Sequence, residues 1–517
     1  MLFTFTHNIM ENVEKKFPPG PSKRPIKLLS QFLRDPLQTF MKISNEYGDI
    51  SYFKLGRQNV YMLNNPDYIE RVLIYDHKNF KKGKRLQTAK RFLREGLVTS
   101  EGEKHDSQKK IIHPFFLPKK ISSFDPIMTE YALNMCNNWK DGSEIDIHKE
   151  MTKVTLSIIC KSMMDYDMES DESEEFGRAF AISKNYSKRL QHPLGHILDS
   201  IPVLPKVAES RKAAKTLDSI VYKLMSTRRQ EISTQDELSN SNSNSSGKSK
   251  NTGDDLLTGL LLLENFDQEK NQKNKLNNFN RQNDDDTQIM SDQQIRDHII
   301  TMLIAGHETT ANALTWTYYL LAQHPEIEQK VFEEIDSVLK YNSASKIKTD
   351  NNTVNLDEYR LPTSKDIPKL KYIEKVFRES MRLFPPVWTI GRMVEEDYQV
   401  GDYVIPKDST IFMSQYVMHR NPLYYENPEQ FSPERWTDDF KRHLPRFSYF
   451  PFGGGLRGCI GEPFAWQEGI LLIATISSYW KMSLKPNQKI KMDPGITLNP
   501  KKGIKMLLHA RKSTQGT

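Results

Sequence analysis

Cysteine is scarce in this sequence of 517 residues, where it occurs only as Cys136, Cys160 and Cys459. An odd and widely spaced set cannot form the disulfide framework of a small secreted protein, so we expect a reducing, cytoplasmic location. Cys136 and Cys160 lie in the segments ALNMCNNW and TLSIICKSMM and are interpreted as small buried hydrophobes. Cys459 has no second cysteine or histidine at zinc spacing, which argues against a tetrahedral zinc site.

Long apolar runs and an excess of one charge are also missing. In the opening segment, His7, Asn8 and Glu11 interrupt the apolar residues well before the ~20 that span a bilayer. We therefore expect no transmembrane anchor and no signal peptide. The alternative is a short amphipathic segment that touches a membrane surface. Lys and Arg number 73 against 66 Asp and Glu, a net charge of +7 without clustering, which argues against nucleic-acid binding.

The rest of the composition is that of a globular protein with a sizeable core. Hydrophobic residues make up 37% of the chain and the mean hydropathy is −0.64. We expect residues 1–25 to form an arm ending in a proline-rich hinge, 26–511 a single domain and 512–517 a tail. Three stretches are too polar to repay the entropy of ordering and are expected as surface insertions in that domain, at about 233–253, 267–288 and 341–355.

Local patterns predict a mainly α-helical fold with small β-sheets (α+β). Residues 50–63 are typical of two short strands around a turn, and long helical patterns follow from about 66 to 230. The apolar density of residues 254–266 predicts a packed helix. After residue 395 strand and loop signals return, followed by a helix at about 462–480 and short strands near 481–509.

The third cysteine stands in a glycine-rich loop, FGGGLRGCIG, at residues 452–461. Its five glycines allow positive-φ turns and leave backbone amides free to point at the sulfur. The loop leads into a predicted helix with Pro463 in its first turn. The positive end of that helix lowers the pKa of the Cys459 thiol from about 8.5 and favours the thiolate. A single thiolate suits the axial position of a haem, whose porphyrin supplies the other four ligands.

This loop is similar to the haem-binding signature of the cytochromes P450. In that signature Phe, Gly, Arg, Cys and Gly recur at the spacing of Phe452, Gly455, Arg457, Cys459 and Gly461. The resemblance extends from about residue 18 to 511 and fails only at the polar insertions. It implies the cytochrome P450 fold, a triangular helical body with a minor β region, and haem b as cofactor. It further implies Cys459 as the proximal iron ligand, Arg457 as a partner of a haem propionate, and Phe452 beside the sulfur.

A helix of roughly 33 residues is predicted to begin at the capping box Ser291-Asp292-Gln293-Gln294 and to end near Gln323. Its middle contains AGHETT at 305–310, where one glycine and two threonines lower the helix propensity and predict a local opening. Small residues at 305 and 306 would let a flat cofactor lie against the backbone.

AGHETT resembles the distal-helix motif of the P450 family. The resemblance implies Thr309 as the oxygen-activating hydroxyl and Glu308 as the proton relay, because cleaving dioxygen consumes two protons that such a pair can deliver through water. His307 is interpreted as a satisfied polar residue and Thr310 as ordinary helix packing.

Glu379 and Arg382 lie three residues apart on one face of a predicted helix, YIEKVFRESMRLF, which alone would indicate an ordinary surface pair. The family resemblance implies instead that they form, with Arg435 of FSPERW, a buried triad that holds the proximal loop in place. Its role would be structural.

The resemblance also indicates residues at the haem edge. His105 and Lys109 stand where the family usually has Trp and Arg beside the propionates. Lysine lacks the bidentate fork of arginine, so this contact would be weaker than the family's usual one. Arg392 occupies a further propionate-binding position.

Comparison with the family places the walls of the substrate pocket at Val98, Ala305, Val387, Trp388, Thr389, Ile496 and Thr497. Nearly all of these residues are apolar or small, which predicts a lipophilic substrate held by few polar contacts. The sequence looks most like the fatty-acid branch of the family, and terpenoids and sterols fit the same residues.

The sequence therefore predicts a haem-thiolate monooxygenase that inserts one oxygen atom of O₂ into a lipophilic substrate. We expect a monomer that receives electrons from a separate ferredoxin- or flavin-type partner. One alternative is a peroxide-driven or rearranging haem-thiolate enzyme, which has less use for Glu308 and Thr309. The other is a non-catalytic haem sensor or carrier, for which His307 is the nearby candidate for a sixth ligand.

Overall fold

The structure, a computed structural model, describes residues 17–21, 25–190, 199–201, 204–241, 255–263, 290–341 and 358–511. These residues belong to two compact units. The first takes its residues from Met1–Gln87, Val387–Gln430 and Asp438–Cys459. The second takes them from Thr88–Pro386, Phe431–Thr437 and Ile460–Thr517.

The first unit is built on a five-stranded sheet. Its strands lie in the order Ile50–Leu55, Gln58–Leu63, Thr410–Met413, Ile390–Val394 and Phe80–Lys82. The second and third strands in this order are parallel and the other neighbours are antiparallel. A separate hairpin pairs Tyr398–Val400 with Tyr403–Ile405. The helices of this unit are Pro25–Arg34, Pro36–Tyr47, Pro66–Glu70, Lys84–Gln87, Gln415–Met418 and Asp438–His443.

The second unit is mostly helical. Its helices are Lys90–Leu93, Gly102–Ile112, Pro118–Ser122, Asp125–Asn137, Ile147–Met164, Ser170–Leu190, Pro205–Ser241, 256–263, Asp292–Leu321, Pro325–Leu339, Lys371–Leu383 and Glu462–Tyr479. A three-stranded sheet has the order Glu144–Asp146, Lys505–Ala510 and Trp480–Leu484. A hairpin pairs Met492–Pro494 with Leu498–Pro500.

These elements confirm the predicted mainly helical fold with small sheets. The two strands within 50–63 form an antiparallel pair, and the predicted helix within 254–266 covers 256–263. One expectation was wrong. The helix Pro205–Ser241 continues through residues 233–241, so the start of the first polar insertion is helical and not loop. Most of the three insertions lies outside the described residues.

The helix Asp292–Leu321, called the long helix below, begins as predicted. The hydroxyl of Ser291 accepts a hydrogen bond from the Gln294 amide, and the Gln294 side chain accepts one from the Ser291 amide. The predicted local opening at 305–310 is not present, because the helix runs without interruption to Leu321. Within the described part of the chain, no helix combines the length and apolar character that crossing a membrane requires.

Candidate active site

Cys459 is the exposed cysteine of the described residues, on the loop 452–461, and it is the last residue of this loop that belongs to the first unit. The other two cysteines are buried as predicted, and burial raises the pKa of the Cys160 thiol to about 12. Both remain protonated thiols near neutral pH. The one sulfur presented to a ligand therefore belongs to the glycine-rich loop.

The loop folds back on itself through its own amides. The Cys459 amide donates to the Phe452 carbonyl and the Gly458 amide to the Gly455 carbonyl, both at 3.0 Å. These two amides are thus used within the loop and are not free for the sulfur, contrary to expectation. Gly455 has a φ of 71°, and a Cβ there would lie 2.0 Å from the Leu73 carbonyl oxygen. The close approach to the turn Arg71–Tyr75 requires glycine.

Two cations predicted for the propionates lie at the strands Phe80–Lys82 and Ile390–Val394 of the first unit. Arg457 donates through Nη1 to the Phe80 carbonyl at 2.7 Å, at the start of the strand Phe80–Lys82. Arg392 stands on the adjacent strand, directly opposite Lys82 in the antiparallel register. Lys82 and Arg392 are only 5% and 9% exposed. Like charges directly opposite each other repel. An anion beside Lys82 and Arg392 would therefore stabilise this pair of cations. The sequence analysis missed Lys82, which no motif distinguishes.

The long helix is buried almost throughout its length after Ile295, and its one exposed residue there is Ala305. Thr309, one turn later on the same face, is half-buried. Its hydroxyl donates to the Ala305 carbonyl at 2.8 Å, the i−4 bond that threonine often forms within a helix. The oxygen of Thr309 still has lone pairs to accept a hydrogen bond.

The opposite side of AGHETT packs inside the second unit. A Cβ on Gly306 would lie 2.6 Å from Cγ1 of Ile159, on the helix Ile147–Met164. Gly306 therefore serves the packing of these two helices, a role that the sequence did not indicate. His307 is buried, its Nδ1 bonds the Leu303 carbonyl, and its ring lies edge-on to phenylalanines of the helix Ser170–Leu190. It is the satisfied polar residue that was predicted.

Glu308 is buried in a polar network that the sequence did not reveal. Its carboxylate forms an ion pair with Lys184 of the helix Ser170–Leu190. With the Asn499 amide in the orientation that satisfies its neighbours, Nδ2 donates to Glu308 Oε1 at 3.2 Å and to Asn312 Oδ1 at 3.0 Å. His148 Nε2 also bonds Asn312 Oδ1, at 3.1 Å. Burial raises the pKa of Glu308, but the Lys184 ammonium, His307 and the Thr497 hydroxyl together lower it further than burial raises it, so the pKa lies below its ordinary value and the group is a carboxylate.

The predicted triad is assembled around the fully buried carboxylate of Glu379. Arg382 donates to it twice, through Nε at 2.8 Å and Nη2 at 2.9 Å, and Arg435 donates through Nε at 2.9 Å. The Trp436 indole and the Ser432 amide add bonds of 2.8 and 3.0 Å. All of these groups belong to the second unit. The sequence did not indicate the last two donors.

The remaining predicted residues vary in exposure. His105 is buried on the helix Gly102–Ile112, where its Nδ1 lies 3.1 Å from Asp106 Oδ1, and Lys109 follows one turn later, half-buried. Trp388 is 1% exposed and packs against Phe40 with 5.8 Å between ring centroids, as a core side chain does. The other predicted pocket residues are half-buried, namely Val98, Val387, Thr389 and Ile496, apart from exposed Ala305 and buried Thr497.

Comparison with known proteins matches this arrangement to one family over nearly the whole chain. The family model "Cytochrome P450" matches residues 18–508. The chain is 28% identical to cyclooctat-9-en-7-ol 5-monooxygenase of Streptomyces melanosporofaciens, covering 92% of this chain and 91% of that protein. It is 26% identical to pentalenene oxygenase of Streptomyces avermitilis, with 94% and 95% covered, and 28% identical to human cytochrome P450 4V2, with 93% and 86% covered. The chain is a member of the cytochrome P450 family.

Proposed function

We propose that this P450 oxygenates a lipophilic substrate of fatty-acid, terpenoid or sterol type at a haem bound through Cys459, with electrons from a separate redox partner. The observation that carries the proposal is the exposed sulfur of Cys459 on a loop held by its own glycines. When bound, haem b supplies the centre at which dioxygen is activated for insertion into a C–H bond.

The residues present fit that cofactor. The loop offers one sulfur and no other metal ligand, as an axial position requires. Arg457, Arg392 and Lys82 provide the positive charge that two propionates need.

Residues of the long helix would handle protons. The Thr309 hydroxyl donates its hydrogen bond to the Ala305 carbonyl, so its oxygen can accept a hydrogen bond from a water beside it. Glu308, held as a carboxylate with the help of Lys184, can accept a proton from a neighbouring water and pass it on. Proton transfer through Glu308 therefore depends on how strongly Lys184 stabilises the negative charge of the Glu308 carboxylate.

The names of two relatives support a terpenoid-type substrate as one candidate. One is a monooxygenase of cyclooctat-9-en-7-ol and the other an oxygenase of pentalenene. The identities of 28% and 26% leave the fatty-acid and sterol types in the proposal.

The geometry argues against the sensor alternative. A sensor of this kind needs a sixth protein ligand, for which His307 was the candidate, but that ring is buried against Phe176 and Phe180 and bonded to the Leu303 carbonyl. Burial also lowers the pKa of His307 and keeps it a neutral packing residue.

Spectroscopy of the purified protein tests the haem-thiolate assignment. The ferrous carbon monoxide complex should absorb at the wavelength typical of sulfur-ligated haem, and Cys459→Ser should abolish that band. Cys136→Ala is the matched control, because its thiol is buried away from the loop, and should keep the band. Absence of the band from the wild type, or its survival in C459S, would contradict the proposal.

A further inference from the structure

His419 is a buried histidine of the first unit whose ring accepts a hydrogen bond. It follows the short helix Gln415–Met418 and is 0% exposed. Its Nε2 accepts from the Phe450 amide at 3.0 Å, across 31 positions of the chain. Buried amides pair mostly with backbone carbonyls, so a side-chain acceptor here is a contact that the fold has to supply. A ring nitrogen that accepts a hydrogen bond carries no proton, and the ring is therefore neutral with its proton on Nδ1.

The ring of His419 is held against two aromatic side chains. Its centroid lies 4.9 Å from that of Tyr449, at an interplanar angle of 32°, and 5.5 Å from that of Phe450, nearly edge-on at 84°. The His419 amide donates to the Gln415 carbonyl at 2.8 Å, which fixes the backbone that carries the ring. A side chain that is already packed loses little further conformational entropy when it accepts a hydrogen bond. The fold thus presents Nε2 to the Phe450 amide as a preset acceptor.

Two further hydrogen bonds connect Phe450 with Cys459. The Phe450 carbonyl accepts from the Gly453 amide, and the Phe452 carbonyl accepts from the Cys459 amide, both at 3.0 Å. Gly453 has a φ of 72°, a turn conformation that favours glycine. Phe450 therefore closes the turn 450–453 with its carbonyl while His419 holds its amide. A shift of Phe450 would move Phe452 and, through the Phe452 carbonyl, the backbone of Cys459.

We propose that His419 is a positioning residue for Cys459. Its neutral imidazole fixes the stretch that enters the loop 452–461 and thereby holds the sulfur in the place that an iron ligand takes. Groups outside a ligand set commonly orient the ligands, and losing one of them typically costs about 10- to 100-fold in metal affinity or activity. This inference rests on the proposed function, because it takes Cys459 as the haem ligand.

The test compares variants of the haem-loaded full chain that differ in the acceptor at position 419. His419→Phe keeps a ring without an acceptor, and His419→Gln places an amide oxygen near the position of Nε2. The readouts are the decay of the sulfur-ligated band of the ferrous carbon monoxide complex and the rate of haem transfer to apomyoglobin. In H419F both should be about tenfold faster than in the wild type, and H419Q should restore most of the difference. His419→Asn carries the same amide on a side chain one methylene shorter, so it should behave like H419F.

Hydrogen exchange at the Phe450 amide tests the contact itself, independently of the haem spectrum. Mass spectrometry of peptides that cover residues 449–453 should show exchange about tenfold faster in H419F than in the wild type. H419Q should exchange at nearly the wild-type rate, because its amide oxygen accepts the same hydrogen bond.

Two controls separate positioning from general stability. Val60→Ala truncates a side chain that is 1% exposed on the strand Gln58–Leu63, so it should lower the unfolding temperature while the sulfur-ligated band decays at the wild-type rate. His443→Phe changes an exposed histidine of the same unit and should alter none of the readouts.

Each outcome decides between the two proposals. Wild-type rates of band decay and haem transfer in H419F would overturn the role of His419 and leave the haem-thiolate assignment intact. Equal behaviour of H419Q and H419N, or loss of the band in V60A as fast as in H419F, would have the same meaning. If the wild type shows no sulfur-ligated band, the proposed function fails and this inference fails with it.

Discussion

The carboxylate of Glu379 accepts five hydrogen bonds from four residues, and two of these are arginines. A buried carboxylate of this kind is stabilised only while its cations remain, and they in turn depend on it. Arg435 and Trp436 come from the short segment Phe431–Thr437, so Glu379 attaches that segment to the helix Lys371–Leu383.

Glu379→Ala should leave two buried guanidinium groups without their partner. We expect a loss of about 3–5 kcal/mol in the free energy of unfolding and protein purified without bound haem. Glu374→Ala on the same helix is the matched control. Its partner Arg378 is a half-buried i+4 neighbour, and the pair should contribute less than about 1 kcal/mol. Urea unfolding and haem content per chain measure both effects, and normal haem content in E379A would refute the structural role.

Lys184 is a residue that no sequence pattern connects with Glu308, since the two are 124 positions apart. In its absence, burial would be the main influence left on the Glu308 carboxyl and would raise its pKa. A lowered folded-state pKa adds stability above the unfolded value, and this contribution is lost as the pH falls through the folded value. Removing Lys184 removes that contribution.

Coupled turnover is the amount of product formed per electron pair consumed. Lys184→Met should therefore shift the pH profile of coupled turnover toward higher pH. Near neutral pH, the variant should release more hydrogen peroxide than the wild type. Lys188→Met is the matched control, one turn further along the same helix, where the ammonium pairs with half-exposed Asp493. K188M should keep the wild-type profile. An unchanged profile in K184M would show that Lys184 does not set the charge of Glu308.

At the scale of the elements, the long helix presents different chemistry on each side. Gly306 meets the helix Ile147–Met164, and His307 and Glu308 meet the helix Ser170–Leu190. After Ile295, the exposed residue of this helix is Ala305. The motif AGHETT therefore combines an exposed alanine, a packing contact, an ion pair and a half-buried hydroxyl within six residues.

Gly306→Ala tests the packing role. Alanine gains about 1 kcal/mol of helix propensity over glycine, but its Cβ would lie 2.6 Å from Ile159, and such overpacking costs about 1–3 kcal/mol. We expect G306A to lower the free energy of unfolding by about 1 kcal/mol. In an Ile159→Ala background the clash is gone, and the same substitution should instead stabilise.

Gly177, on the helix Ser170–Leu190, is the control for this pair, because a Cβ there meets nothing within 4 Å. Gly177→Ala should stabilise by about 1 kcal/mol in the wild type. Urea unfolding of the four variants measures the coupling. If G306A stabilises the wild type as G177A does, the contact with Ile159 does not require glycine.

Local signals predicted the elements well and their contacts poorly. The capping box at Ser291 and Gln294 and the strands within 50–63 depend on residues close in sequence, so the pattern contained them. The predicted opening at 305–310 was wrong because tertiary contacts of the motif, Gly306 against Ile159 and Glu308 with Lys184, outweigh its low helix propensity. Lys82 and Lys184 were not identified because their neighbours, Arg392 and Glu308, are distant in sequence and only the fold brings them together.

At the scale of the whole molecule, the open question is how electrons reach the haem. The family match covers residues 18–508 of this chain. The alignment with cyclooctat-9-en-7-ol 5-monooxygenase covers 92% of the chain. Reductive activation needs two electrons from a donor and two protons from within the protein, whereas hydrogen peroxide brings both electrons and protons with it. The two routes therefore place different demands on Glu308 and Thr309.

We expect turnover with NADPH and a surrogate ferredoxin and reductase to exceed turnover with hydrogen peroxide alone, measured as product from a lipophilic substrate. Thr309→Ala should lower the partner-driven rate at least tenfold and divert electrons to peroxide release, because the oxygen that accepts the hydrogen bond is lost. The same variant should keep its peroxide-driven rate, since that route needs no delivered protons. The control is Thr310→Val, a buried residue on the packed side of the helix, which should affect both routes alike. Equal losses by both routes in T309A, or peroxide turnover above partner-driven turnover in the wild type, would favour the peroxide-driven alternative.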